Sequence, residues 1–150
     1  MFREAMSDTT SQQLVVFSLG SEEYALPIGS VHEIIRYTEP RTVASDAAWI
    51  RGVIGLRGKI IPIFDLAARM GLEPSEPGKI VIVSSRAGQV GVMVDEVEEV
   101  LTVTSEQLED VPSAASDAIE AIAKIEDRLV ILLNTSGLFT REVEELAAAA

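Results

Sequence analysis

The chain has 150 residues, 47% of them hydrophobic, with no cysteine and a formal net charge of −12. That length suits one ordinary domain or two small lobes sharing an interior, and the apolar content excludes a disordered chain. The acidity argues against a nucleic-acid partner, which needs a basic face, and the missing cysteines exclude a disulfide framework, a thiol nucleophile and a Cys-ligated metal.

No apolar run approaches the roughly 20 residues of a bilayer span. The start, MFREAMSDTTSQQ, lacks the apolar stretch of a signal peptide, so a cytoplasmic location without membrane insertion is expected. Charge is uneven along the chain. Through Glu76 there are 7 basic and 10 acidic residues, a balance of −3; from Pro77 there are 5 and 14, a balance of −9. A solvated acidic surface accounts for this, and so do two halves that meet different partners.

Residues 1–11 read as a polar, flexible leader. Residues 12–19 (QQLVVFSL) read as a strand, 20–23 as a turn and 24–28 as a second strand, together a hairpin. Pro27 cannot donate a ladder hydrogen bond and belongs at an edge or a bulge. Residues 31–37 are ambiguous, because Val31, Ile34 and Ile35 fit a helical turn as well as a short strand. A polar connection fills 38–48, and Trp49 after it fits core or lobe-interface packing. Residues 50–56 and 59–64 flank Arg57-Gly58, a second hairpin with a basic tip. Gly52, Gly55 and Gly58 recur at every third position, but a phosphate-cradling loop opens a helix and these glycines precede a strand. Bends and close backbone approach are their expected use. Asp65 N-caps a short helix, 66–70, that Gly71 ends. The EPSEPG stretch at 73–78 is a connector.

The programme then repeats. Residues 79–84 and 89–94 form a hairpin around Arg86-Ala87-Gly88, followed by a strand at 97–103. Residues 105–117 read as loop with a turn of helix. Strands at 121–125 and 129–133 flank a tight turn, Glu126-Asp127-Arg128. Asn134 takes the capping place of Asp65. Thr140 caps a final acidic helix, 141–150, in which the run from Ala147 reads as helical filler.

YALPIGSVHEII, from Tyr24, aligns without gaps on VGVMVDEVEEVL, from Val90, an offset of 66 residues. IRGVIGLRGKIIPIFDL, from Ile50, aligns on IEAIAKIEDRLVILLNT, from Ile119, an offset of 69. Two copies of one supersecondary unit are implied, about 12–76 and 77–140, each needing the other to close its core. Short strands at regular spacing with little helix between them predict an all-β fold of small barrels or a sandwich. The edges would be managed by closure or by strand exchange across a pseudo-twofold. Arg57 breaks the match, because its counterpart is Glu126. A position that reverses charge between matched halves suits a job done once.

Catalysis finds little support. His32 is the only histidine, its counterpart is Glu98, and it reads as solvent-facing rather than as a general base. Neighbouring acids on a strand point to opposite faces, and no metal-ligand pattern or cofactor motif appears. Glu33, repeated as Glu99, could pair with Arg57 and orient it at a groove edge; two unrelated surface charges is the plain alternative. Val100 and Leu101 match Ile34 and Ile35, and either fill the core or floor a groove for an amphipathic helix.

The segment GLRGKIIPIFDL, residues 55–66, resembles the hallmark N-L-R-G-x-I-x-P-[VI]-x-D-L of the CheW family. QQLVVFSLGSEEYALPIGSVHEIIR is similar to that family's first hairpin and V-x-E-I step, and VGVMVDEVEEVLTVTSEQL to its second-half pattern. Gly55 departs from the family's usual Asn. The resemblance covers about 12–140 and implies two five-stranded SH3-like β-barrels packed together. It also implies a non-enzymatic adaptor that couples the hairpin tips of chemoreceptors to the histidine kinase CheA, whose regulatory domain is itself CheW-like. Receptor contact would fall to Val31, Glu33, Ile34 and Arg57, with Val100 and Leu101; kinase contact is assigned to Gly52 and its neighbours. Other readings are an adaptor of the same family in a surface-motility or second-messenger array, a small-ligand sensor barrel, and an enzyme. The Met start and polar leader favour a free-standing protein over a regulatory domain cut from a kinase.

Overall fold

A computed structural model of the chain describes residues 11–43, 49–73, 76–112, 117–139 and 141–149. The first copy supplies strands β1 (Ser11–Leu19), β2 (Glu22–Pro27), β3 (Val31–Arg36), β4 (Ile50–Leu56) and β5 (Lys59–Phe64). The second supplies β6 (Lys79–Ser84), β7 (Gln89–Val94), β8 (Glu96–Thr104), β9 (Leu108–Asp110), β10 (Ile119–Ile125) and β11 (Arg128–Leu133). Helix is confined to α1 (Leu66–Arg69), α2 (Thr135–Leu138), α3 (Arg141–Ala149) and two 3-10 turns. The fold is all-β.

Two sheets form, one ordered β8-β1-β2-β11-β10-β9 and the other β3-β6-β7-β5-β4. Exchanging each strand for its repeat counterpart turns the second order into the first, with β9 left over. The expected five-plus-five therefore becomes six-plus-five. In the five-stranded sheet the place of β9 is taken by a single bridge, Arg41 to Val53. Each sheet mixes the copies. The β1–β2 hairpin lies among strands of the second copy, and β6–β7 among strands of the first. The joins are the antiparallel pairs β1–β8 and β3–β6 and the parallel pairs β2–β11 and β5–β7.

Alternation along the strands sorts the apolar side chains into three clusters. Ile80 and Ile82 of β6 join Ile54, Ile61, Ile63 and Met93 inside the five-stranded sheet. Their neighbours Val81 and Val83 join Phe17, Tyr24, Phe64 and Leu133 in a seam between the sheets, where Trp49 also packs. Leu14, Val16, Val130 and Leu132 fill the six-stranded sheet. Each fully buried aliphatic or Phe side chain contributes about 1.5–3 kcal/mol. No single lobe owns the seam.

Both helix caps form, with Asp65 Oδ1 accepting from the Ala68 N–H at 3.0 Å and Asn134 Oδ1 from Ser136 at 3.1 Å. The ambiguous segment after Ser30 is strand β3, and the helical turn is limited to Ile28–Ser30. Pro27 ends β2, beyond Glu23–Ala25 where β11 pairs, so its missing donor falls outside that ladder. The segment after Thr104 holds the expected turn, capped reciprocally by Thr104 and Gln107, and then β9, which the edge of β10 recruits. Ala147 is not filler, since it is buried in the seam. The leader through Thr10 and the Thr140 cap lie outside the described residues.

Candidate functional site

β3 is an edge strand, and its register with β6 slips between Val31 and Glu33, placing a bulge at His32. The slip divides the strand's duties. Val31 packs against the seam, Ile34 is 39% exposed, and Ile35 turns inward to the five-stranded sheet's cluster. β8 does the same in the other sheet. Val97 packs on the seam, Val100 is 51% exposed, and Leu101 turns into the six-stranded sheet's cluster. Ile34 and Val100 thus offer apolar surface, whereas Leu101 is chiefly an interior residue.

Arg57 occupies the two-residue turn between β4 and β5, with φ of 51°, followed by Gly58 at 81°. Positive φ at both central positions is what a tight hairpin with native strand twist requires. Glycine accepts it freely, whereas a residue with a Cβ is strained there by about 1–2 kcal/mol. The geometry carries the Arg57 side chain, 70% exposed, across to β3, where Nη1 donates to Glu33 Oε1. His32 is exposed, with Nε2 3.9 Å from the same carboxylate oxygen. The pair joins elements from opposite ends of the five-stranded order, so that sheet is curled. An exposed ion pair contributes only about 0–1 kcal/mol, and its effect is to fix where the guanidinium sits.

Gly52 has a different part. It is buried at φ 145°, and a Cβ there would lie 2.2 Å from the Arg41 carbonyl oxygen. The Arg41 and Val53 backbones exchange hydrogen bonds of 2.8 and 2.9 Å over it. Gly52 therefore acts on the surface only through the segment lying on it. At Gly55 nothing stands within 4 Å of a Cβ position, so a larger residue such as Asn fits there.

One contact of the second lobe escaped the sequence reading. Glu99, the twin of Glu33, receives Arg128 Nη2 at 2.8 Å, and Arg128 also makes a two-pronged contact with Glu23 at 3.1 Å. Hydrogen bonding to Glu23, reinforced by Glu99, pushes the Arg128 pKa further up. Arg128 is the counterpart of Lys59, two residues beyond the position of Arg57. The repeated glutamate was the signal that a cation should stand nearby. Elsewhere, the Lys79 hydrogen bond holds the Glu96 carboxyl below its usual range, and burial, with Glu22, pushes the Tyr24 phenol up.

Among the described residues no charged side chain is buried, and no three acids or histidines gather as a metal site. Fold and site together define a twinned two-sheet β protein that holds an oriented ion pair beside exposed apolar surface on an edge strand. The CheW-like domain profile matches residues 13–143, and the chain belongs to the CheW-like family. A probable chemotaxis protein CheW of Rhizobium etli is 35% identical over 143 residues, covering 91% of this chain and 92% of its own. The chemotaxis protein CheW of Bacillus subtilis is 31% identical over 145 residues, covering 92% and 93%. The crystal structure of the scaffolding protein TtCheW from Thermoanaerobacter tengcongensis is similar with a TM-score of 0.81 and 32% identity, covering 89% of this chain and 96% of that one.

Proposed function

We propose that this chain is a non-enzymatic scaffold that couples the cytoplasmic hairpin tips of chemoreceptors to the regulatory domain of a CheA-type histidine kinase. The observation that carries this is the Arg57–Glu33 pair beside exposed Ile34. It sets an oriented, donor-rich cation next to apolar surface on an edge strand. A receptor helix would seat apolar residues on Val31 and Ile34, extend to the exposed Val100 that Leu101 backs from the interior, and accept hydrogen bonds from Arg57. The kinase would contact the segment shaped by Gly52. No helix among the described residues is long and apolar enough to cross a membrane. The scaffold would work in the cytoplasm and reach the membrane through the receptors.

The test is binding to a receptor hairpin tip and a CheA regulatory domain, separately and together. Arg57→Glu should weaken receptor binding about tenfold or more, the loss of an interface Arg anchor. Kinase binding and the thermal midpoint should stay near wild type. Unchanged receptor affinity would refute the assignment, and loss of folding would make Arg57 structural.

A further inference from the structure

The C-terminal helix breaks the internal symmetry. α3 lies on β5 and β7, with Val143 and Ala147 entering the seam. Its approach is so close that a Cβ on Gly88 would sit 2.7 Å from the Ala147 carbonyl oxygen. The counterparts of β5 and β7 in the six-stranded sheet are β11 and β2. A matching helix would have to follow α1, but there the sequence runs into the EPSEPG connector, whose prolines do not continue a helix.

Among the described residues, the corresponding face of β2 and β11 carries no such helix. It is an open groove of about 580 Å³, floored by Ile122, Leu129 and Ile131 and rimmed by Glu22, Glu23 and Glu98. Leu129 is 61% exposed and is the counterpart of Ile60, which borders α3 on the other sheet. Arg128 is the cation lining this groove, and it is already held by Glu23 and Glu99. The rim is net negative.

We propose that this groove docks an amphipathic helix of a partner protein, with basic residues flanking an apolar stripe, in the place that α3 takes on the opposite sheet. The stripe covers Leu129 and Ile131, and Lys or Arg side chains meet Glu22 and Glu98. A second copy's α3 is excluded by charge, since its sequence holds three glutamates against one arginine. An anionic membrane is repelled by the same rim. The surface is additional to the receptor and kinase surfaces proposed above, and Arg57 takes no part in it.

The experiment titrates the intact protein with a designed helical Leu/Lys amphipathic peptide and with its Leu/Glu counterpart, following backbone amide resonances. The Leu/Lys peptide should shift Glu22, Leu129 and Ile131, and the Leu/Glu peptide should leave them in place. Leu129→Asp, at an exposed position, should weaken binding about tenfold, the loss of a central apolar anchor. Glu22→Lys with Glu98→Lys should do likewise, whereas the charge-matched control Glu39→Lys with Glu106→Lys should not. Shifts scattered over the whole acidic surface, or equal losses in the two double variants, would overturn the proposal. Receptor-tip binding by Leu129→Asp should equal wild type, so failure here is separable from failure of the scaffold reading.

Discussion

The turns after β4 and after β10 share a backbone and differ in chemistry. Arg57 and Glu126 are the described non-glycine residues with positive φ, at 51° and 56°, and they are repeat counterparts. β4 and β10 also have the same burial pattern along all seven residues. Each lobe keeps an edge-strand glutamate that takes a cation, yet the cation sits in the turn in one lobe and at the start of the next strand in the other. That displacement leaves a positive hairpin tip on one lobe and a negative one on its twin. Duplication thus preserved the frame, while two residues of sliding changed what each lobe shows to a partner.

The sharpest way to break the likeness is at Gly52 and its counterpart Ala121. Gly52→Ala places a methyl against the Arg41 carbonyl and should cost about 2–4 kcal/mol, combining overpacking with backbone strain. Ala121→Gly should cost about 0.5–1 kcal/mol. Urea denaturation of both variants measures the difference. A smaller contrast separates neighbours on β8. Leu101→Ala should lose about 1–3 kcal/mol as a partly buried core residue, and Val100→Ala less than about 0.5 kcal/mol. If the two cost the same, the inward turn of Leu101 is wrong. Smallest is the strain itself. Glu126, with no ion-pair partner among the described residues, should gain about 0.5–1 kcal/mol on replacement by Gly. Arg57→Gly should gain less, because it also forfeits Glu33, and the gap between these variants reads out that pair.

The hairpins were legible because alternation and turn residues agree locally. The bounds of β4, β5, β6 and β7 coincide with the sequence reading for that reason. β3 stayed ambiguous because the bulge at His32 interrupts its alternation, leaving a spacing common to both periods. β9 was invisible: Leu108-Glu109-Asp110 has no apolar rhythm, and the strand exists because β10 offers a free edge. The Glu33–Arg57 pair came from comparing the copies, and the same comparison passed over Arg128, since it aligns with Lys59 and not with Arg57. Which of Val100 and Leu101 faces solvent depends on the register slip in β8, a long-range property that no window of sequence contains.

The interleaving of hairpins governs how the chain comes into being. β1 and β2 leave the ribosome first, yet their neighbours are β8 and β11, so the opening hairpin must wait for synthesis to reach Leu133. Until then its apolar faces are uncovered, and non-local closure of this kind is slow and exposed to aggregation. Folding of this chain is therefore limited by long-range strand pairing rather than by the making of its hairpins.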